Sequence, residues 1–235
     1  MPKLKINLAD VWDVSDPREV PAYSIPEAAH YLCMPKATLR AWVLGQKGGH
    51  AFKHVIDLPQ PDTHLLSFFN LAEAHILRAL RTVHTIRLPL IRKALGYVKR
   101  HFGWERPLIQ QEFRTDGVRL FVEKLGQIVD ASGEGQLVIR EVMMHLERLE
   151  WEGHLAARLY PFTRLNPDNA PKSVIIDPRF SFGRPILKAA RISTAVIAER
   201  YKAGESIDAL AEDYGCSQLE IEEGVRCELR LSAAA

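Results

Sequence analysis

The stretch that decides the fold of the N-terminal region is SIPEAAHYLCMPKATLRAWV, residues 24–43. Glu27 follows Ser24 by three residues, which is the spacing of a helix capping box, and Pro26 suits a first helical turn. Pro35 restarts the chain as a second helix. The pattern predicts two short helices joined by a tight turn, a helix-turn-helix unit.

A second stretch, SIDALAEDYGCSQLEIEEGV at residues 206–225, has the same pattern but the opposite charge. Between residues 24 and 54 the first unit has a single acid, Glu27, against the bases Lys36, Arg40, Lys47 and Lys53. Between residues 206 and 229 the second unit has a single base, Arg226, against Asp208, Glu212, Asp213, Glu220, Glu222, Glu223 and Glu228. Because phosphates repel carboxylates, we expect the first unit to bind DNA and the second to contact a second copy or a partner protein.

The composition of the 235 residues is that of a globular protein, with 47% hydrophobic residues and a net charge of +2. Any nucleic-acid footprint must therefore be local. The three cysteines are widely spaced, which favours reduced thiols over a disulfide framework or a zinc site. No apolar run approaches the roughly 18 residues of a membrane span, and acidic residues stand where a signal peptide would be apolar. We expect a cytoplasmic protein with no membrane contact, metal or cofactor.

The pattern along the chain predicts an α+β, mainly α protein of three modules. Residues 1–106 form a DNA-binding head with a basic helix pair, residues 107–170 a small α+β module and linker, and residues 171–235 a C-terminal helix-turn-helix-like domain. In the head, β-prone residues 52–56 and 65–69 predict the two strands of a wing, and a capping pattern at residues 70–73 begins the next helix.

The middle module is expected to open with a hairpin. Asp116-Gly117 is a two-residue turn signal between the β-prone runs Ile109–Thr115 and Val118–Glu123. A helix with its apolar stripe between Leu137 and Leu149 follows, and Arg158–Pro161 reads as a closing strand. In the last module we expect a strand at Ser173–Ile176 and helices that begin after Ser193, Ser206 and Ser217.

The candidate DNA-binding residues lie at or near the start of the second helix and in the wing. Arg40 is placed to read a guanine, Lys36 to hold a phosphate, and Thr38 lies between them. Lys47 and Lys53 follow in the predicted wing. The alternative is that these are ordinary solvated charges on a helix surface.

Catalysis has little support in this sequence. It contains no H-E-x-x-H, C-x-x-C or G-x-S-x-G motif. His50 and His54 have the four-residue spacing of a metal pair on a helix but lie in the predicted wing, so we interpret both as exposed. Glu141 and His145 share a helix face with no nucleophile placed beside them, and we interpret them as surface residues. We expect a protein that is not an enzyme.

The segment VIIDPRFSFGRPIL at residues 174–187, followed by Arg191-Ile192-Ser193-Thr194, resembles the domain of unknown function 433, whose members include many predicted antitoxins. Residues 24–103 resemble the DNA-binding head of MerR-type regulators. Together, over most of the chain, they resemble VapB-type antitoxins of the larger, multi-domain kind. The resemblance implies a PIN-domain (VapC-type) ribonuclease toxin as partner, with magnesium held by carboxylates, and binding to the promoter of the protein's own operon.

The function expected from the resemblance is that of a type II antitoxin, a homodimer that sequesters its toxin and represses its operon. The basic helices of the head then supply candidate contacts to an acidic toxin site or to the DNA backbone: Arg78, Arg81, Arg87, Arg92 and Lys93. A solvated helix face is as good an interpretation of any single one. The competing hypotheses are a stand-alone MerR-like regulator with a small-ligand or protein effector, and a structural adaptor.

Overall fold

The computed structural model describes residues 16–46, 53–82, 88–128, 135–164 and 170–229. In these ranges the chain is α+β and mainly helical, as the sequence predicts, and none of the helices is both long and apolar enough to cross a membrane. The helices are α1 (Ile25–Tyr31), α2 (Lys36–Leu44), α3 (Phe68–Thr82), α4 (Leu88–Phe102), α5 (Asp116–Ile128), α6 (Gly135–Leu146), α7 (Thr194–Lys202), α8 (Ile207–Tyr214) and α9 (Gln218–Leu229). The strands are β1 (Leu149–Glu152), β2 (Leu155–Leu159), β3 (Val174–Ile175) and β4 (Ile186–Leu187).

Helices α1 and α2 lie where the opening pattern predicts them. The Ser24 hydroxyl accepts a hydrogen bond from the Glu27 amide, and the Glu27 carboxylate accepts one from the Ser24 amide, so the capping box is complete. The turn between the helices passes through Cys33 with a positive φ of 50°. The helix pair therefore has the local geometry that its sequence encodes.

The predicted wing strand at residues 65–69 is wrong in its second half, because Phe68 and Phe69 are the first residues of α3. Both rings are buried, so tertiary packing overrides their β propensity. The helix also begins before the predicted capping pattern at residues 70–73. Ser67 and Asn70 cap it instead, each side chain accepting a hydrogen bond from the amide of the other. The predicted wing strand at residues 52–56 is also wrong in its described part, because residues 53–56 form no strand, and residue 52 lies outside the described residues. Leu66 pairs with Tyr23 in an isolated bridge and not with this segment.

The predicted hairpin around Asp116-Gly117 is wrong, since both residues belong to the first turn of α5. The hydrophobic residues Phe113, Val118 and Phe121 are all buried, and a helix brings Val118 and Phe121 to one face. Gly117 lies against the ring of Phe113, where a side chain would not fit. The glycine serves a close contact with an aromatic ring and not a turn.

Two short antiparallel ribbons follow α6. Strands β1 and β2 form a hairpin, and β3 pairs with β4, which confirms the strand predicted at Ser173–Ile176. Leu159 of β2 and Ile176, the residue after β3, exchange two backbone hydrogen bonds of 3.0 and 2.8 Å, and this bridge links the two ribbons. This junction joins the middle module to the C-terminal unit.

The buried side chains form one large cluster and smaller ones. The large cluster runs from Tyr23 to Ile176 and includes the stripe of α4 at Leu88, Ile91 and Val98 that the sequence predicts. The head and the middle module thus share one core, and the boundary at residue 106 stays a prediction. A separate cluster fills the C-terminal unit, with Val174, Leu187, Ile197, Leu210, Ile221, Val225 and Cys227.

The head and the C-terminal unit touch directly through α1 and the loop between β3 and β4. The Tyr23 hydroxyl donates a 2.9 Å hydrogen bond to the carbonyl of Gly183. Arg184 forms an ion pair with Glu27, and its guanidinium lies 5.8 Å from the centre of the Tyr23 ring. Gly183 has a φ of +76°, and an added Cβ would overlap the Tyr23 hydroxyl. The contact therefore requires glycine for two separate reasons.

We expect Gly183→Ala to lower the free energy of unfolding by about 2–4 kcal/mol, from backbone strain together with overlap against Tyr23. Gly153→Ala is the matched control, since Gly153 has a similar φ of +63° and open space around it. The control is expected to cost about 1–2 kcal/mol. Thermal unfolding of the two variants beside the parent chain measures the difference. Equal losses would contradict the role of the Tyr23 contact.

Candidate nucleic-acid interface

The start of α2 is an exposed, positively charged helix end. Pro35 precedes the helix in an extended conformation, and no side chain caps its first turn. Lys36 and Arg40 are exposed and Thr38 is half-buried. On the opposite face Leu39, Trp42 and Val43 are buried, which fixes the rotation of the helix: Trp42 is 2% exposed. A helix start without a side-chain cap and two exposed cations thus lie together, an arrangement suited to phosphate.

The α1–α2 turn is held from below by α3. The Arg78 guanidinium donates a 2.5 Å hydrogen bond to the carbonyl of Leu32, which is the last backbone group before the turn. Tyr31 donates to the Glu27 carboxylate, and the Cys33 thiol donates to the carbonyl of Phe162 at 3.4 Å. Arg78 of α3 and the backbone of the middle module therefore hold the turn that leads into α2.

The segment after α2 also depends on a predicted site residue. Arg92 donates to the backbone carbonyls of Lys53 and His54, the second at 3.0 Å, and so holds this segment against α4. Lys53 is itself exposed, while Lys47 lies outside the described residues. His54 is exposed as predicted and pairs with Asp57 at 2.9 Å, whereas His50 is not described.

The five basic residues predicted on the helices after the wing differ in what they can offer a partner. The guanidinium groups of Arg78 and Arg92 bind backbone carbonyls of the head itself. Arg81 is half-buried, Lys93 is exposed, and Arg87 lies outside the described residues. A role for these residues in binding a toxin or the DNA backbone stays a prediction.

The second helix-turn-helix unit has its expected local structure, with a left-handed turn at Gly215 between α8 and α9. Ser217 and Glu220 form the predicted cap of α9. Much of the helix packs within the chain, because Ile221, Glu223, Gly224, Val225 and Cys227 are buried. Its first turn is exposed at Gln218 and Leu219.

Glu223 was grouped in the sequence with Glu220 and Glu222 as a surface acid, and that interpretation is wrong. Its side chain is fully buried, and its carboxylate accepts hydrogen bonds from Thr163, Arg164 and Arg226, the arginines at 2.6–2.7 Å. Burial alone would raise the pKa of Glu223, but these donors outweigh it and lower the pKa below its ordinary value. Thr163 and Arg164 lie about sixty residues upstream, so no local pattern could reveal the contact.

Gly224 lies in the interior of α9. Its neighbours are the side chains of Leu187 and Ile197, at 3.3 and 3.5 Å from the position that a Cβ would occupy. The absence of a side chain brings α9 onto β4 and α7. The glycine thus completes the core of the C-terminal unit.

His145 is buried, so its interpretation as a surface residue is wrong. Its ring lies 4.8 Å from that of His75 and 4.9 Å from that of Phe162. Burial lowers the pKa of His145 to about 4 and lowers the pKa of His75 well below its ordinary range, so both rings are neutral at pH 7. Among the described residues no His, Cys, Asp and Glu cluster suited to a metal ion is present.

Arg148 is a buried cation that the sequence analysis did not single out. Its guanidinium donates four hydrogen bonds of 2.8–3.1 Å, all to backbone carbonyls: those of Tyr160, Pro161, Ala170 and Pro171. Burial lowers the pKa of Arg148 to about 10, with the charge of Glu223 opposing the shift, so the group remains charged at neutral pH. Arg148 therefore ties together the two ends of the connection between the middle module and the C-terminal unit.

Known proteins resemble this chain over most of its length. A family model described as "Protein of unknown function (DUF433)" matches residues 174–226, as the sequence predicts. A Mycobacterium tuberculosis protein provisionally named antitoxin VapB45 is 30% identical over 222 residues, which cover 84% of this chain and 89% of that protein. The uncharacterized protein Rv2308 of the same organism is 22% identical over 221 residues, 88% of this chain and 89% of its own.

A solved structure is also similar. The crystal structure of Rv2018 from Mycobacterium tuberculosis superimposes with a TM-score of 0.68 at 26% identity, covering 88% of this chain and 98% of that one. The overall fold is thus shared over most of both chains.

We expect Glu223→Gln to lower the free energy of unfolding by about 2–4 kcal/mol at pH 7, because it removes the buried charge to which Thr163, Arg164 and Arg226 donate. Glu222→Gln is the matched control, since Glu222 is half-exposed and pairs with the same Arg226 at 2.9 Å. Its expected cost is below about 1 kcal/mol. Urea unfolding measures both.

The same pair of variants has a defined pH dependence. Folding lowers the pKa of Glu223. Its contribution to stability is therefore complete above the unfolded pKa of 4.5 and is lost as the pH falls through the folded pKa. The difference in the free energy of unfolding between the parent chain and Glu223→Gln should therefore become smaller below about pH 4.5. A gap that widens in acid would contradict the assigned ion cluster.

Proposed function

This chain belongs to the VapB-type antitoxin family, and we propose that it neutralises a PIN-domain ribonuclease toxin by binding it and represses its own operon by binding DNA. The observation that carries the proposal is the relationship to the provisionally named antitoxin along most of the chain, including the head and the C-terminal unit. Neutralisation by binding requires no chemistry from the antitoxin, which agrees with the absence of a recognisable catalytic motif in the sequence.

The DNA-binding part of the proposal is supported by the exposed end of α2. Lys36 and Arg40 face solvent from a helix whose opposite side is buried, so the helix can approach a major groove without disturbing the core. We propose that Arg40 reads a base edge, that Lys36 holds a phosphate and that Thr38 supports the contact. A homodimer would place two such helices on a palindromic site, about 34–36 Å apart or a multiple of that.

The C-terminal helix-turn-helix unit does not take part in this proposed DNA contact. Much of its second helix packs within the chain, and the exposed acids around it would repel the duplex. One head per chain is therefore proposed to read DNA.

We expect Arg40→Ala to weaken binding to a duplex from upstream of the gene by about 1–3 kcal/mol and to relax base preference. Lys36→Ala should weaken all sequences alike and reduce the salt slope by about one. Lys202→Ala on α7 is the control, because Lys202 is equally exposed but lies in the C-terminal unit. Fluorescence anisotropy over a range of salt concentrations separates these outcomes. If Arg40→Ala leaves the affinity and the base preference unchanged at low salt, the proposal that Arg40 of α2 reads a base edge is wrong.

The toxin-binding part is tested with the small PIN-like protein that the adjacent reading frame is expected to encode. Purified toxin, magnesium and a labelled RNA are mixed with increasing antitoxin, and cleavage is followed. We expect cleavage to stop near one antitoxin chain per toxin, without nucleotide and with the toxin covalently unchanged. Full activity at a large excess of antitoxin would exclude the antitoxin function for this pair.

A further inference from the structure

Phe182 is exposed to an unusual degree for a large apolar side chain. It is 92% exposed, whereas the next most exposed large apolar side chain in the described ranges, Leu219, is 49% exposed. It lies in the loop between β3 and β4, where Ser181, Phe182 and Gly183 all have positive φ, of 47°, 53° and 76°. Neither burial nor backbone preference favours a phenylalanine at this position.

The loop that presents Phe182 is held at both ends. Before it, the amides of Arg179 and Phe180 donate to the side chain and the carbonyl of Asp177, each at 3.0 Å. After it, the amide of Gly183 donates to the Phe180 carbonyl at 2.8 Å, and the Gly183 carbonyl accepts from Tyr23. The ring is therefore displayed by a fixed loop, which lowers the entropic cost of using it in a contact.

A basic pocket of about 290 Å³ adjoins this loop, and Phe180 forms part of its wall. Phe182 is two residues further along, so the Cα atoms of the two phenylalanines are at most about 7 Å apart. The Lys188 ammonium lies 5.3 Å from the centre of the Tyr160 ring, and the Arg191 guanidinium 5.3 Å from that of Phe180. In the part of the chain that the structure describes, no carboxylate forms an ion pair with either cation, so aromatic rings hold both.

The charges around the pocket favour an anionic occupant. Its lining has three bases, Arg158, Lys188 and Arg191, and one acid, Glu150. The Glu150 carboxylate already accepts hydrogen bonds from Arg158 and Tyr160, which leaves Lys188 and Arg191 as the cations that can bind a further anion. The chain's own cations already lie over the two rings, which argues against a stacked base and for a carboxylate.

We infer that the β3–β4 loop and its basic pocket form a docking surface for an acidic partner protein, in which Phe182 enters an apolar socket and Lys188 and Arg191 bind carboxylates of the partner. An exposed aromatic beside cations is the composition of an interface hot spot. The inference rests on the proposed function in one respect: the partner is taken to be the toxin. The surface lies where the middle module meets the C-terminal unit, and it shares no residue with the α2 end that is proposed to bind DNA.

The test measures the affinity of the full chain for the toxin from the adjacent reading frame by titration calorimetry. Phe182→Asn removes the ring and supplies a residue that tolerates positive φ, so its melting temperature should be unchanged or higher. The double variant Lys188→Glu, Arg191→Glu reverses the pocket charge. Leu219→Asn and Lys202→Glu are the apolar and charged controls, both exposed elsewhere in the C-terminal unit.

We expect Phe182→Asn and the double variant each to raise the Kd at least tenfold, the double variant also to flatten its salt dependence, and the controls to bind like the parent chain. Parent-like affinity of both variants, with the parent chain binding the toxin, would overturn the docking surface and leave the proposed function intact. A parent chain that fails to bind the toxin would contradict the proposed function and the inference together.

Two further outcomes identify a different occupant and also overturn the inference. If Phe182→Asn changes the molar mass of the isolated chain in light scattering, the surface joins two copies of the chain. If the double variant loses affinity for the upstream duplex as strongly as Lys36→Ala does, the pocket binds nucleic acid. A lower melting temperature of Phe182→Asn would show that the ring supports the fold, which the partner role excludes.

Discussion

The buried guanidinium of Arg148 fixes the path of the chain between the two main hydrophobic clusters. All four of its hydrogen bonds go to main-chain carbonyls on either side of the connection, at residues 160–161 and 170–171. A buried cation without a directly bonded carboxylate is costly, and the charge of nearby Glu223 offsets part of that cost. Since Glu223 itself binds Thr163 and Arg164, both buried charges hold the same connection.

This pair of contacts explains why much of α9 packs within the molecule. The Glu223 carboxylate of α9 binds Arg164 at the start of the connection, and Gly224 lies against Leu187 and Ile197. The first helix-turn-helix unit has no such attachment on the outer face of α2, where Lys36 and Arg40 remain exposed. Two segments with the same local pattern thus differ in availability because of long-range contacts and not because of their own helical sequences.

Local signals predicted the ends of several elements, including the capping boxes at Ser24 and Ser217 and the strand at Ser173–Ile176. They failed where packing competed with a turn or strand preference. Asp116-Gly117 begins a helix, in which Gly117 lies against the Phe113 ring. Phe68 and Phe69 begin α3, in which both rings are buried. The candidate site at the start of α2 could be proposed from the sequence because Lys36, Thr38 and Arg40 lie close together along the chain. Glu223, His145 and Arg148 act through residues far along the chain, and Phe182 is notable only once its exposure is known.

The contact between Tyr23 and Gly183 joins residues 160 positions apart, and it has a consequence for the order of folding during synthesis. The side of the head that contains Tyr23 and Glu27 can be covered only after the β3–β4 loop has been synthesised, because that loop lies near the C-terminal end of the chain. Such long-range closure slows folding, and the waiting chain exposes apolar surface to proteases and aggregation. A chain released before residue 183 has been made lacks this contact, and Tyr23 and Glu27 then remain without their partners in the C-terminal unit.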